Sequence, residues 1–279
     1  MVIRPSSNLN SSGVFAAIAL MMEKTELNTL GNPGHTCALK ISIIIPAFNE
    51  ERLLAHTLAN INSARQVFGK LGCDSELIVC DNNSTDRTPE IGRAAGAMVV
   101  FEPVNQIARA RNRGAAAASG DWLLFVDADS SPTAELFADV VEEIRSGKYL
   151  AGGCTIRLEG KHFFANIMIN VWNWKSRSRR WLAGSFIFCD AAVFRRIGGF
   201  SQEMFAAEEI DLSERLKKLV PETGLEIVIL HRHPLLTSDR KMRLYTRWEH
   251  MRLLFRVARN YRTTLRDREA CHLWYDGRR

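Results

Sequence analysis

Four short apolar runs, "ISIIIP", "ELIVC", "MVVF" and "WLLFV", recur between Ile41 and Val126, each followed by a stretch of different periodicity. None alternates apolar with polar, so each reads as a strand covered on both faces. After the first run, Leu54, Leu58, Ile61 and Ala64 fall at helical spacing. After the second, "NNSTDRTPEIGRAAG" opens with Ser, Thr and Asp, the residues that start helices. The Ala-rich "IARARNRGAAAASG" lies between the third and fourth runs and is closed by Gly120, and "PTAELFADVVEEIRSG" follows the fourth. Doubly covered strands alternating with helices predict an α/β fold, a mostly parallel sheet sandwiched between helical layers.

The remaining composition sets limits. With 279 residues, 46% hydrophobic and 24% charged, the chain can bury a sizeable core. Cys37, Cys73, Cys80, Cys154, Cys189 and Cys271 are scattered without a C-x-x-C pair. Reduced thiols and a cytoplasmic setting are therefore expected, with neither a disulfide frame nor a zinc site. Residues 1–38 read as a poorly ordered leader, whose apolar "GVFAAIALMM" is too short to span a bilayer. Residues 39–236 then form the main domain. Residues 237–279 carry 12 Lys or Arg against 5 Asp or Glu, so the chain's +6 charge belongs to this end. Leu244, Trp248, Met251, Phe255 and Ala258 form an apolar stripe there with arginines off it. Such a basic amphipathic helix can dock on the domain or touch the inner face of an anionic membrane. Nucleic acid is not an expected partner, because no recognised binding motif accompanies the charge.

Three acids mark the sheet's rim. Asp81 closes the second strand, Asp127 closes the fourth, and Asp129 stands just beyond it. In an open parallel sheet the ligand crevice lies outside the strands' carboxyl ends. A turn accounts for one aspartate there. Three gathered on one rim repel each other unless a cation or hydrogen-bond donors satisfy them. Farther on, Phe205, Glu209, Leu212, Leu216 and Leu219 recur at steps of four and three, placing Glu209 on the apolar stripe of a helix. Desolvation there would raise its pKa towards that of a useful general base.

"SIIIPAFNEE", "IVCDNNSTDRT", "ARNRGAAAASGDWLLFVDAD", "IGGF" and "EEIDLSERLKK" occur in the order seen in family-2 glycosyltransferases of the GT-A fold. The resemblance runs from about Lys40 to about His233. It implies a three-layer α/β/α sandwich that moves a sugar from a nucleotide-diphosphate donor to an acceptor hydroxyl, saccharide or lipid-linked. It further implies an inverting reaction assisted by Mg²⁺ or Mn²⁺. By that resemblance Asp129 binds the metal, and Asp127, with Ala128 beside it, touches the nucleotide ribose or shares the metal. Asp81 meets the base edge, the turn Pro46-Ala47-Phe48-Asn49-Glu50 lines the nucleotide pocket, and Arg111 binds the donor. The second acid of the helical pair, Glu209, takes the acceptor's proton. The family more often has Asp there, and Glu208 is the rival base. His233, past the apolar run "LEIVIL", would complete the metal shell, and Arg240 and Lys241 would clamp phosphate from a mobile loop. Opposed to all of this stands a nucleotide-sugar binder on the same fold that no longer catalyses transfer.

Overall fold

The structure is a computed structural model that describes residues 39–160, 163–238, 240, 260–271 and 275. β1 (Lys40–Ala47) is buried from Ile41 onward, and its side chains divide between two cores. Ile41, Ile43 and Ile45 face α1 (Leu54–Ala64), α2 (Gln66–Lys70) and α5 (Ala134–Arg145). Ile44 faces the other way, towards α4 (Ile107–Ala117), α7 (Ala191–Arg196) and α8 (Glu208–Lys217). This division is the strand's two-residue period made visible, and it produces three layers. In the first core Phe68 stacks on Phe137 with ring centroids 5.0 Å apart. In the second, Phe125, Phe194 and Phe200 pack edge-on or tilted at 5.1–5.6 Å. Each such side chain fully buried contributes about 1.5–3 kcal/mol.

The sheet runs β3-β2-β1-β4-β7-β6-β8-β5. β2 (Asp74–Asp81) and β4 (Trp122–Val126) flank β1 in parallel, and β3 (Met98–Phe101) continues that direction. α3 (Thr88–Ala94) links β2 to β3. β7 (Phe186–Asp190) then enters antiparallel between β4 and β6 (Tyr149–Leu158), a reversal that the apolar runs alone do not announce. β8 (Glu226–Thr237) returns parallel to β6, and β5 (Ser130–Ser131) closes the edge against it. Ala47 pairs with Asp81, and Asp127 follows β4 directly, so the acids sit at one rim as expected.

Two segments differ from expectation. β8 has 12 residues and continues through Pro234, where a sequence reading ends it near Leu230. Its pairing with β6 skips from Leu230 to Leu235. That irregularity gives Pro234, which has no N–H to donate, a place in the strand. The helix carrying the acidic pair starts at Glu208 and so leaves out Phe205, the first residue of the expected stripe, because Ala207 adopts a left-handed φ of 59°. β6 leads into α6 (Phe163–Arg179), and α9 (Val220–Thr223) caps the end of α8.

The described C-terminal residues pack against the domain. α10 (Tyr261–Leu265) presents Leu265 to Ala206 and the buried Cys271, and Phe205 N donates to Leu265 O at 2.8 Å. They belong to the unit Ala38–Arg279, so the expected boundary at residue 236 is crossed by contacts. The leader, Lys241 and the basic stripe at 244–258 lie outside the described residues. Among those described, no helix is long and apolar enough to cross a membrane.

Candidate active site

An open cleft of about 590 Å³ lies over the carboxyl ends of β1, β2 and β4. Of the residues singled out from sequence, Pro46, Ala47, Phe48, Glu50, Asp127, Ala128 and Asp129 line it. Its loops are clasped together. Asn49, at a φ of 52°, accepts from Thr85 N at 2.8 Å, and its own N–H donates to Ser84 Oγ at 3.0 Å. Glu50 N donates to Thr88 Oγ1 at 2.8 Å. Asp81 stands behind the wall, its Oδ1 accepting from Ser84 N at 3.0 Å, while its neighbour Asn82 reaches the cleft.

Arg111 is the centre of the site's electrostatics. It is 1% exposed and donates to Glu208 Oε1 at 2.6 Å, Asp127 Oδ1 at 2.9 Å and the Gly184 carbonyl at 2.7 Å. Its guanidinium also lies 5.2 Å from the Phe200 ring centroid. Burial works against the charge, but Asp127 and then Glu208 outweigh it and hold the guanidinium protonated. Arg111, expected to bind the donor, fixes Asp127 from behind and lies outside the cleft's lining. Phe200 is held in turn by Asn112 on the same helix, through Asn112 Nδ2 to Phe200 O at 2.8 Å and Phe200 N to Asn112 Oδ1 at 2.9 Å. The Gly198-Gly199 step before it has φ of 76° and 67°, and a Cβ on Gly199 would come within 2.5 Å of Asn112 Oδ1. The "ARN" and "GGF" motifs are one packing unit.

The two glutamates separate cleanly. Glu208 is buried, and its Oε1 is taken up by Arg111 at 2.6 Å. Glu209 lies against the Gly184 backbone, where a Cβ would meet its carboxyl carbon at 3.5 Å. Burial first, and then the Glu208 charge, pushes its pKa up to about 8 from 4.5. Asp211 pairs with Arg215 one turn on, at 2.8 Å.

Arg240 reaches the rim from the end of β8. It binds Glu50 with two contacts of 2.7 and 2.8 Å and lies 3.7 Å from Asp129 Oδ2. A guanidinium drawn to this position shows that the carboxylates here accept positive charge. Among the described residues no three His, Cys, Asp or Glu surround a common point. Asp127 and Asp129 both line the cleft and present the hard oxygen ligands that a cation such as Mg²⁺ takes.

His233 does not join them. Because β8 continues to Thr237, His233 sits within the strand, and its Nδ1 lies 2.9 Å from Asp139 Oδ2 on α5. The expectation that it completes a metal shell is corrected accordingly. Asn82, Asn105, Ile107 and Tyr275 also line the cleft, though nothing in the sequence marked them. Tyr275 is delivered by the docked C-terminal residues, its hydroxyl donating to Phe205 O at 2.9 Å.

Residues 42–203 match the family described as glycosyl transferase family 2. An uncharacterised glycosyltransferase of Mycobacterium tuberculosis is 31% identical over 141 residues, 50% of this chain and 60% of that relative's length. Among solved structures, the mannosyltransferase PcManGT of Pyrobaculum calidifontis, in complex with GDP-Man and Mn²⁺, superposes with a TM-score of 0.59 at 20% identity. That comparison covers 90% of this chain and 71% of that one. Glucosyl-3-phosphoglycerate synthase of Mycobacterium tuberculosis, in complex with Mn²⁺, UDP and phosphoglyceric acid, gives 0.54 at 19% identity, covering 88% and 82%.

Proposed function

Because the chain belongs to glycosyl transferase family 2 and has its GT-A fold, we propose that it transfers a sugar from a nucleotide-diphosphate donor to an acceptor hydroxyl in one inverting displacement. The observation that carries this is the buried Arg111 bridge. Asp127, at the cleft, and Glu208, next to Glu209, are held by one guanidinium. In this reading the bridge would keep Asp127 on the donor side and, through its neighbour Glu208, the base Glu209 in a fixed relation, which is the positioning a displacement needs.

The walls from Pro46 to Glu50 and around Asn82 would hold the nucleotide, with Asp81 bracing the base side through Ser84. Asp129, with Asp127, would hold Mg²⁺ or Mn²⁺. When bound, such a cation supplies Lewis-acid neutralisation of the charge on the departing diphosphate. Arg240 lies where its guanidinium can move from Glu50 to a phosphate oxygen, excluding water as it does so. Glu209 removes the acceptor proton, its raised pKa making it a stronger base than an ordinary carboxylate. GDP-Man with Mn²⁺ in one structural relative, and UDP with Mn²⁺ in the other, support this reading.

The experiment is a transfer assay with Glu209→Gln. Donor binding is expected to persist while transfer falls by about 10²–10⁴. Full activity in that variant would remove Glu209 from the mechanism.

A further inference from the structure

Seven large apolar side chains stand exposed among the described residues, and four of them, Ile167, Met168, Val171 and Trp174, are on α6. They are 44%, 56%, 46% and 68% exposed. At 100° per residue they fall on one arc of the helix. The opposite arc is already occupied: Ala165 and Ser176 are buried, and Asn173 bonds both the N–H and the carbonyl of Ile156 on β6, at 3.0 and 2.9 Å. α6 is therefore docked on the sheet and still apolar on its outer side, the reverse of an ordinary surface helix.

Charge identifies what covers it. The helix sequence, "FFANIMINVWNWKSRSR", contains no carboxylate, and Lys175, Arg177 and Arg179 all stand exposed in its last turns. Trp174 sits where the apolar arc meets the basic end, the place an indole takes at a membrane–water boundary. A second copy of this chain would bring another cationic helix against the first. An anionic bilayer surface matches both features together. From Ile167 to Trp174 the ridge spans about 10 Å at 1.5 Å per residue, so it lies in the plane of the interface and does not cross it.

We propose that α6 is a membrane-contact helix, inserting Ile167, Met168, Val171 and Trp174 among the acyl chains of an anionic leaflet while Lys175, Arg177 and Arg179 meet the headgroups. From the end of α6 the chain passes through Trp181 to Gly184, beside Glu209. A lipid-borne acceptor would reach the base along this route, a consequence that rests on the glycosyltransferase reading. Vesicle binding is measured without any transfer, so the two readings fail separately.

The test is flotation of the full chain with vesicles of phosphatidylcholine, with or without phosphatidylglycerol. Binding is expected with phosphatidylglycerol and weak without it. Replacing all four ridge residues by Ser should lower the partition coefficient by about tenfold or more, and K175Q/R177Q/R179Q should remove the preference for the anionic lipid. Trp174→Ser alone, at a site that supports no core, should act in the same direction if the fourfold variant folds poorly. Binding that survives loss of the ridge would overturn the proposal. So would unchanged flotation accompanied by a fall from dimer to monomer, which would make the ridge a self-association surface.

Discussion

Arg111 is a long, permanently charged side chain with almost no solvent contact, and only its two carboxylate partners and one carbonyl make that tolerable. Removing it would strand Glu208 in the core. Arg111→Ala is expected to destabilise the fold by about 3–5 kcal/mol in denaturant unfolding, with part of the loss recovered when Glu208→Gln is added. Titration at Glu209 is a second residue-scale consequence. Its folded pKa, about 8, lies above the ordinary 4.5, so the protonated form is the one the fold favours. As pH rises through that value the side chain ionises, the fold loses the corresponding stabilisation, and the base becomes active. The pH dependence of kcat/KM should show a rising limb near 8 that disappears in Glu209→Gln. Arg111, Asp127 and Glu208 each stood out in the sequence, but their pairing did not. Asp127 follows β4 and Glu208 opens α8, and long-range pairing of that kind has no local signature.

Turns and strand lengths decide which residues reach the site. Ala207 and Gly199 both hold left-handed backbone at the entrance to α8 and before Phe200. Gly199→Ala combines that φ with a collision against Asn112 and should cost about 1–3 kcal/mol. Ala207→Gly relieves a non-glycine residue of the same conformation and should stabilise by up to about 1 kcal/mol. β8 supplies the contrast between two rim candidates. His233→Ala should leave donor affinity unchanged, because its partner is Asp139, whereas Arg240→Ala should weaken it, and titration calorimetry on both variants checks the pair. The parallel half of the sheet was legible because continuous apolar runs at β1, β2 and β4 have one reading. β8 was not, since Pro234 and two histidines resemble a strand end unless the irregular pairing with β6 is known. The antiparallel entry of β7 was hidden for a similar reason, as direction is set by connections and not by the apolar run itself.

Across the whole molecule, the rim acids, the Arg111 bridge and the docked C-terminal residues meet around one cleft. Pro46 comes from β1, Asp129 from the turn after β4, and Tyr275 from the far end of the chain to line the same cleft. Sequence motifs located the sheet's share of this cleft, because strand ends follow from strand identity. Tyr275 gave no signal, because its place depends on how Leu265 and Cys271 pack beneath Phe205. The central claim is that Asp127 and Asp129 share a divalent cation with a nucleotide diphosphate. Titration calorimetry of UDP-, GDP- and TDP-sugars against the wild type and Asp129→Ala, with and without Mn²⁺, tests it most directly. The expected result is one donor that binds well only with Mn²⁺ and loses that dependence in Asp129→Ala. A donor that binds equally well in all four conditions would contradict the claim.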